Sequence, residues 1–148
     1  TELKIDTNVL HGVIQGFFNE RMLGKEPDPK KYLNDNNISW LTSQKLQEFR
    51  YDIEKSEYLN HELFKYLMKN EYRFTYSLLT NNHPELESLL YKKHSVHRFY
   101  KYLINSSSVG ILKPNPGIFI HALRLLSVEP KNCIFIDDDE RAFLDLSK

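Results

Sequence analysis

The apolar run Cys133-Ile134-Phe135-Ile136 closes on Asp137-Asp138-Asp139-Glu140, and a helix-like Arg141-Ala142-Phe143-Leu144 follows at once. A short apolar run of this kind reads as a strand buried on both faces, as in a parallel sheet covered by helices. It would deliver its carboxylates to the strand's carboxyl end, where open α/β sheets bind their ligands. Adjacent carboxylates repel one another, so Asp137 and Asp138 together suit a hard divalent cation such as Mg²⁺. The competing reading is a solvated acidic turn capping the next helix.

Two other segments share the design of a strand followed by a polar turn. Arg73-Phe74-Thr75-Tyr76-Ser77-Leu78-Leu79 ends in Thr80-Asn81-Asn82, just ahead of Pro84-Glu85-Leu86. Thr80 at a strand end can offer its hydroxyl, and the following turn its free N–H groups, to an anion; an ordinary helix cap uses the same residues. Farther on, Gly110-Ile111-Leu112-Lys113-Pro114-Asn115-Pro116-Gly117 projects a lysine from a loop. Pro114 keeps Lys113 out of the helical region and Pro116 suits a helix start. Lysine is a compact point charge suited to phosphate, although a solvent-facing lysine beside a helix would read the same way.

In chain order, a strand with Thr80-Asn81, then the Lys113-Pro114 loop, then the strand with Asp137-Asp138, the sequence resembles the haloacid dehalogenase superfamily over roughly residues 60 to 148. Thr80 falls on that family's second motif, Lys113 on its third and Asp137-Asp138 on its fourth. The resemblance implies a Rossmann-like core and a Mg²⁺-dependent phosphatase that acts on a small phosphorylated metabolite through an aspartyl-phosphate intermediate. It further implies that Thr80 Oγ and the Asn81 N–H hold phosphoryl oxygens and that Lys113 neutralises charge. Asp137 would bind Mg²⁺ directly and Asp138 through water, while Asp139 and Glu140 serve as surrounding charge. A halide-releasing enzyme needs no metal to shield its leaving group, so the paired acids favour phosphate over a haloacid.

One part of the family pattern is not recognisable, the Asp-x-Asp of the first motif that supplies the nucleophile. Asp6-Thr7-Asn8 is the one candidate, but Leu3 and Ile5 alternate with charges, unlike a central parallel strand. The start at Thr1 and the end at Lys148 read as cut, so the expectation is a partial core. The missing strand would lie between those ending at Thr80 and Asp137, leaving two unpaired inner edges. A catalytically inactive relative with a binding or regulatory role is the alternative.

The expected fold is α/β, a doubly wound parallel sheet, and the resemblance implies an N-terminal helical cap of the small subfamily I type. Residues 1–58 form the cap segment and residues 59–148 the partial core. In the first part Val9, Val13, Phe17 and Phe18 mark a helix, a Gly24-to-Pro29 turn follows, and Trp40, Leu41, Leu46, Phe49 and Ile53 mark a second helical element. From Asn60, a helix cap, the pattern alternates. Leu63, Phe64, Leu67 and Met68 stripe one helix; Leu86, Leu89 and Leu90 line the next; Ile118, Phe119, Ala122, Leu123 and Leu126 line a third. Strands over 73–79, Tyr102-Leu103-Ile104 and Cys133 to Ile136 lie among them, an order that implies right-handed crossovers.

Charge and cysteine usage narrow the setting. Twenty basic against twenty acidic residues leave no net charge, which argues against nucleic acid or a membrane surface as partner. The single cysteine excludes a disulfide framework, and no stretch approaches the roughly 18 apolar residues of a membrane span. A cytoplasmic location follows as an expectation, with the oligomeric state open. A receiver domain also combines an acidic pair, a Thr and a Lys-Pro around Mg²⁺, but in the reverse order. A calcium loop needs a turn glycine and a spaced Glu, both missing after Asp137. His94 and His97 could share a helix face, yet with Lys92, Lys93 and Arg98 they read as a basic surface.

Overall fold

The computed structural model describes residues 7–56, 59–94 and 96–144. They form two compact units: Thr1–Arg21 with Glu26–Tyr72, and Met22–Lys25 with Arg73–Lys148.

The first unit is helical. Helix α1, Thr7–Met22, turns Leu10, Val13, Ile14, Phe17 and Phe18 toward one core, where Phe17 packs with Leu33, Ile38 and Leu46. Phe17 meets the ring of Tyr32 edge-on at 5.3 Å between centroids, a favoured aromatic geometry. Helix α2, Pro29–Asp35, supplies Tyr32 and Leu33 and begins by local rules alone. Asp28 accepts the Lys31 N–H at 2.6 Å, and Pro29 occupies the first turn, where a missing N–H costs nothing. Helix α3, Ser43–Ser56, brings Leu46, and α4, His61–Lys69, starts at the expected cap, Asn60 accepting the Leu63 N–H at 3.0 Å. No residue of α4 is buried, and Leu63 and Met68 of its apolar stripe are exposed.

The second unit is α/β. Strands β1, Leu78–Thr80, and β2, Leu103–Asn105, are parallel, with Leu79 opposite Ile104 and Thr80 opposite Asn105. Between them lie α5, Leu86–Leu89, and a π-helical and a 3₁₀ turn. Helix α6, Ser106–Val109, and α7, Pro116–Leu126, follow β2. Ile104, Ile118 and Ala122 form the core, with Leu79, Val109, Ile111 and Phe119 packed around them. Asn115 caps α7 by accepting the Gly117 N–H at 2.8 Å, and Pro116 opens the helix as its sequence predicts.

Two expected strands change. Instead of running through 73–79, the first holds strand geometry only over Leu78–Thr80. Its pairing starts where Tyr76 accepts the Lys101 N–H at 2.7 Å, because the chain before Lys101 is curled into a 3₁₀ turn and offers no partner edge. The expected strand Cys133–Ile136 has no strand partner among the described residues and runs as an extended segment. Cys133 is exposed, and Ile134 and Ile136 are 82% and 66% exposed, so the buried placement is corrected. Alternate residues of an extended chain point to opposite sides, and only Phe135 finds a pocket here, against Phe119 and Phe143 at 5.0 and 5.1 Å.

Helix α7 ends on Ser127 at φ 56° and ψ 44°, in the left-handed region, with Val128 N–H donating to Leu123 O at 3.1 Å. A residue with a Cβ costs about 1–2 kcal/mol there. Ser127→Gly is therefore expected to raise stability by about 0.5–1 kcal/mol in urea unfolding, after allowing for the added freedom of glycine in the unfolded chain. A destabilised variant would contradict that helix end.

Candidate functional site

The carboxyl ends of β1 and β2 carry Thr80-Asn81-Asn82 and Asn105-Ser106 side by side. Ser106 and Asn105 are buried, at 0% and 4% exposure, and both of them bind the turn after β1. Ser106 Oγ accepts the Asn82 N–H at 3.1 Å and donates to Met22 O at 2.7 Å. Asn105 Nδ2 donates to His83 O at 2.9 Å. Buried polar groups must find partners, and here they find backbone that would otherwise wander.

Next to this anchored turn lies the lysine loop. Asn81 Nδ2 donates to Lys113 O at 3.0 Å, and the Lys113 N–H donates to Asn81 Oδ1 at 2.8 Å. Lys113 Nζ reaches the carboxylate of Asp137 and stands 5.6 Å from the centroid of the Phe135 ring. The paired side chains are only 12% and 9% exposed. Asp137 also accepts the Asp139 N–H on Oδ1 at 3.0 Å, which turns the chain sharply after the extended segment.

The neighbouring acids have different tasks. Asp138 is exposed. Asp139 accepts the backbone N–H of Arg141 at 3.0 Å and its guanidinium at 2.8 Å, capping the 3₁₀ turn Glu140–Phe143. The Arg141 guanidinium beside it holds the Asp139 carboxyl below the usual carboxylate range. Asp139 thus serves as a cap at the surface.

Among the expected site residues, Asn81, Lys113 and Asp137 are joined in one hydrogen-bonded chain. Thr80 precedes Asn81 at the end of β1, and Asp138 follows Asp137. Asp6 lies outside the described residues. His97 stacks on Tyr91 at 3.8 Å, and both line a cavity of about 300 Å³ that reaches Asn105 but none of these expected site residues. There, burial and the nearby Glu87 push the Tyr100 phenol up. The double grip of Asn81 on Lys113 was missed by sequence reasoning, because 32 residues separate the two and an Asn in a turn has many local uses.

Among the described residues no three His, Cys, Asp or Glu side chains are gathered as a cage for a metal ion. Mg²⁺ asks for less, since it takes one or two carboxylates and keeps water or phosphate oxygens in its other positions. Asp137 and Asp138 carry hard oxygens of that kind, and those of Asp137 also take the Lys113 ammonium and the Asp139 N–H.

The haloacid dehalogenase-like hydrolase family matches residues 15–141. The chain belongs to this family. Among curated relatives, a glyceraldehyde 3-phosphate phosphatase of Methanopyrus kandleri is 40% identical over 43 residues, 29% of this chain and 18% of that protein. Haloacid dehalogenase-like hydrolase domain-containing protein 3 of Xenopus laevis is 32% identical over 63 residues, 43% of this chain and 25% of that protein. The matched part therefore spans a quarter or less of these relatives' length. Family membership fits the α/β second unit, and among the described residues no helix is long and apolar enough to cross a membrane.

Proposed function

We propose that this haloacid dehalogenase-like hydrolase chain carries the phosphate- and Mg²⁺-binding half of a phosphohydrolase acting on a small phosphorylated metabolite. The single observation that carries the reading is the sheltered pairing of Lys113 with Asp137 beside the carboxyl end of β1. A cation and an anion brought together where water is scarce form a preorganised field for a phosphoryl group. The phosphatase named among the relatives supports the substrate class.

In this reading Thr80 Oγ and the Asn81 N–H hold phosphoryl oxygens. The Lys113 ammonium neutralises charge that builds on them during transfer. Asp137 and Asp138 would hold Mg²⁺, which when bound shields the phosphate and the attacking carboxylate from one another. The aspartate nucleophile that would form the phospho-aspartyl intermediate has no assignment among the described residues. The helical first unit would be the small cap that selects the substrate, and the second a part of a doubly wound core. A cytoplasmic setting goes with this reading.

The experiment is a titration of the chain with inorganic phosphate, with and without Mg²⁺, followed by calorimetry. Lys113→Ala should weaken phosphate binding by about tenfold or more, the worth of one charge-assisted hydrogen bond. Asp137→Asn should weaken Mg²⁺ binding. Circular dichroism of each variant separates a lost site from a lost fold. Phosphate that fails to bind the parent chain, or binds both variants equally well, would remove the assignment and leave a non-catalytic binding role, the reading favoured by the unrecognised first motif.

A further inference from the structure

We infer that Asn81 is a positioning residue whose side-chain amide sets Lys113 against Asp137. Lys113 has two backbone polar groups, and one side chain takes both: Asn81 Oδ1 accepts the N–H at 2.8 Å and Asn81 Nδ2 donates to the carbonyl at 3.0 Å. With two bonds from one planar group, the lysine backbone can neither rotate nor slide along the turn without losing both. The ammonium is fixed at its far end by Asp137. The whole lysine is therefore held at three points, by two residues.

Asn81 can do this because it is itself held. The residue after it donates to buried Ser106 Oγ, and the one after that receives the Asn105 amide on its carbonyl. The rigid end of β2 thus fixes the turn, the turn fixes Asn81, and Asn81 fixes the lysine loop. Helix α7 closes the far side, since Asn115, two residues beyond Lys113, is its cap and also donates its N–H to Leu112 O at 3.0 Å. No other residue type fits as well at position 81. Asp keeps the acceptor but loses the donor, and Gln adds a carbon that moves both atoms outward.

The meaning of this clamp for phosphate rests on the proposed function, but its existence can be tested without any ligand. The test compares the parent chain with Asn81→Ala and Asn81→Asp by amide hydrogen exchange at Lys113 and by the NMR resonance of its side-chain ammonium. In the parent chain both should be protected. Asn81→Ala should speed exchange of the Lys113 amide by about tenfold or more, the loss of two hydrogen bonds, and broaden the ammonium signal into water. Amides of β1 and β2 should keep their parent rates. Asn81→Asp should leave the Lys113 amide protected, since its acceptor survives, while the ammonium signal weakens as the carbonyl is released. If Ala prevents folding, that split in the Asp variant decides the question alone.

Titration with inorganic phosphate and Mg²⁺ then links the clamp to the site, with affinity expected to fall about tenfold in Asn81→Ala. Unchanged amide and ammonium signals in both variants would overturn the inference. Loosened signals together with parent-like phosphate affinity would overturn the positioning role and leave the phosphate site standing. A parent chain that shows the clamp but binds no phosphate would sink the proposed function and leave the clamp intact.

Discussion

Lys113→Met lowers the thermal midpoint of the chain by about 10 °C. The expectation comes from the 9% exposure left to the Asp137 side chain, which without the ammonium becomes a sheltered carboxylate facing one backbone N–H. Removing one partner of a buried pair costs about 3–5 kcal/mol, because the other keeps its desolvation penalty. A chain of this size shifts by a few degrees for each kcal/mol. Adding Asp137→Asn to Lys113→Met should restore a good part of the loss, since the amide carries no charge to strand and can still accept the Asp139 N–H. Calorimetric scans of the two single variants and the double variant measure the coupling directly. Additive losses would mean that the pair is solvated and that its shelter is illusory.

The second large effect lies in the core beneath the site. Ile118 is fully buried on α7 and packs with Ile104 of β2 and Ala122. Ile118→Ala removes three carbons from a place with no water to fill the gap, at an expected cost of about 3–4 kcal/mol. Ile120, two residues on and 47% exposed, is the control, and its replacement by Ala should change little. Urea unfolding with a common slope for both variants distinguishes them. Equal losses at the two positions would overturn the orientation of α7 on the sheet.

How much of this was legible in the sequence depended on how local the cause was. Asn60 and the Pro116 helix start were readable because a cap is settled within four residues. Helix α2 obeys the same rules at Asp28-Pro29 yet is hidden by the turn residues around it, which speak for a loop as strongly as for a cap. The segment Cys133–Ile136 shows the opposite limit. Its composition states what it would do beside a neighbouring strand, and hydrophobicity alone cannot supply the neighbour. The family resemblance put Lys113 and Asp137 in one expected site, with phosphate and Mg²⁺ as their partners, and did not pair them with each other. The mechanical support of that pair was not legible either, because the grip of Asn81 on Lys113 and of Ser106 on Met22 O depends on pairs 32 and 84 residues apart, which no periodicity records.

Four residues show how the chain is sewn together. Met22–Lys25 belong to the second unit although the first unit continues on both sides of them. Gly24 sits there at φ 76°, and a Cβ on it would stand 2.2 Å from the Ser107 carbonyl oxygen, so the backbones meet at a place that admits only glycine. The α/β unit is therefore discontinuous in sequence, with a short stitch borrowed from the helical part. A core cut out at residue 59 or 73 would leave that stitch behind. The Ser106 hydroxyl would then face emptied space where Met22 O had been, and the first link that steadies the Asn82 turn would start to slip. Whoever wishes to study the core by itself must carry the stitch along, on a separate peptide or grafted ahead of Arg73.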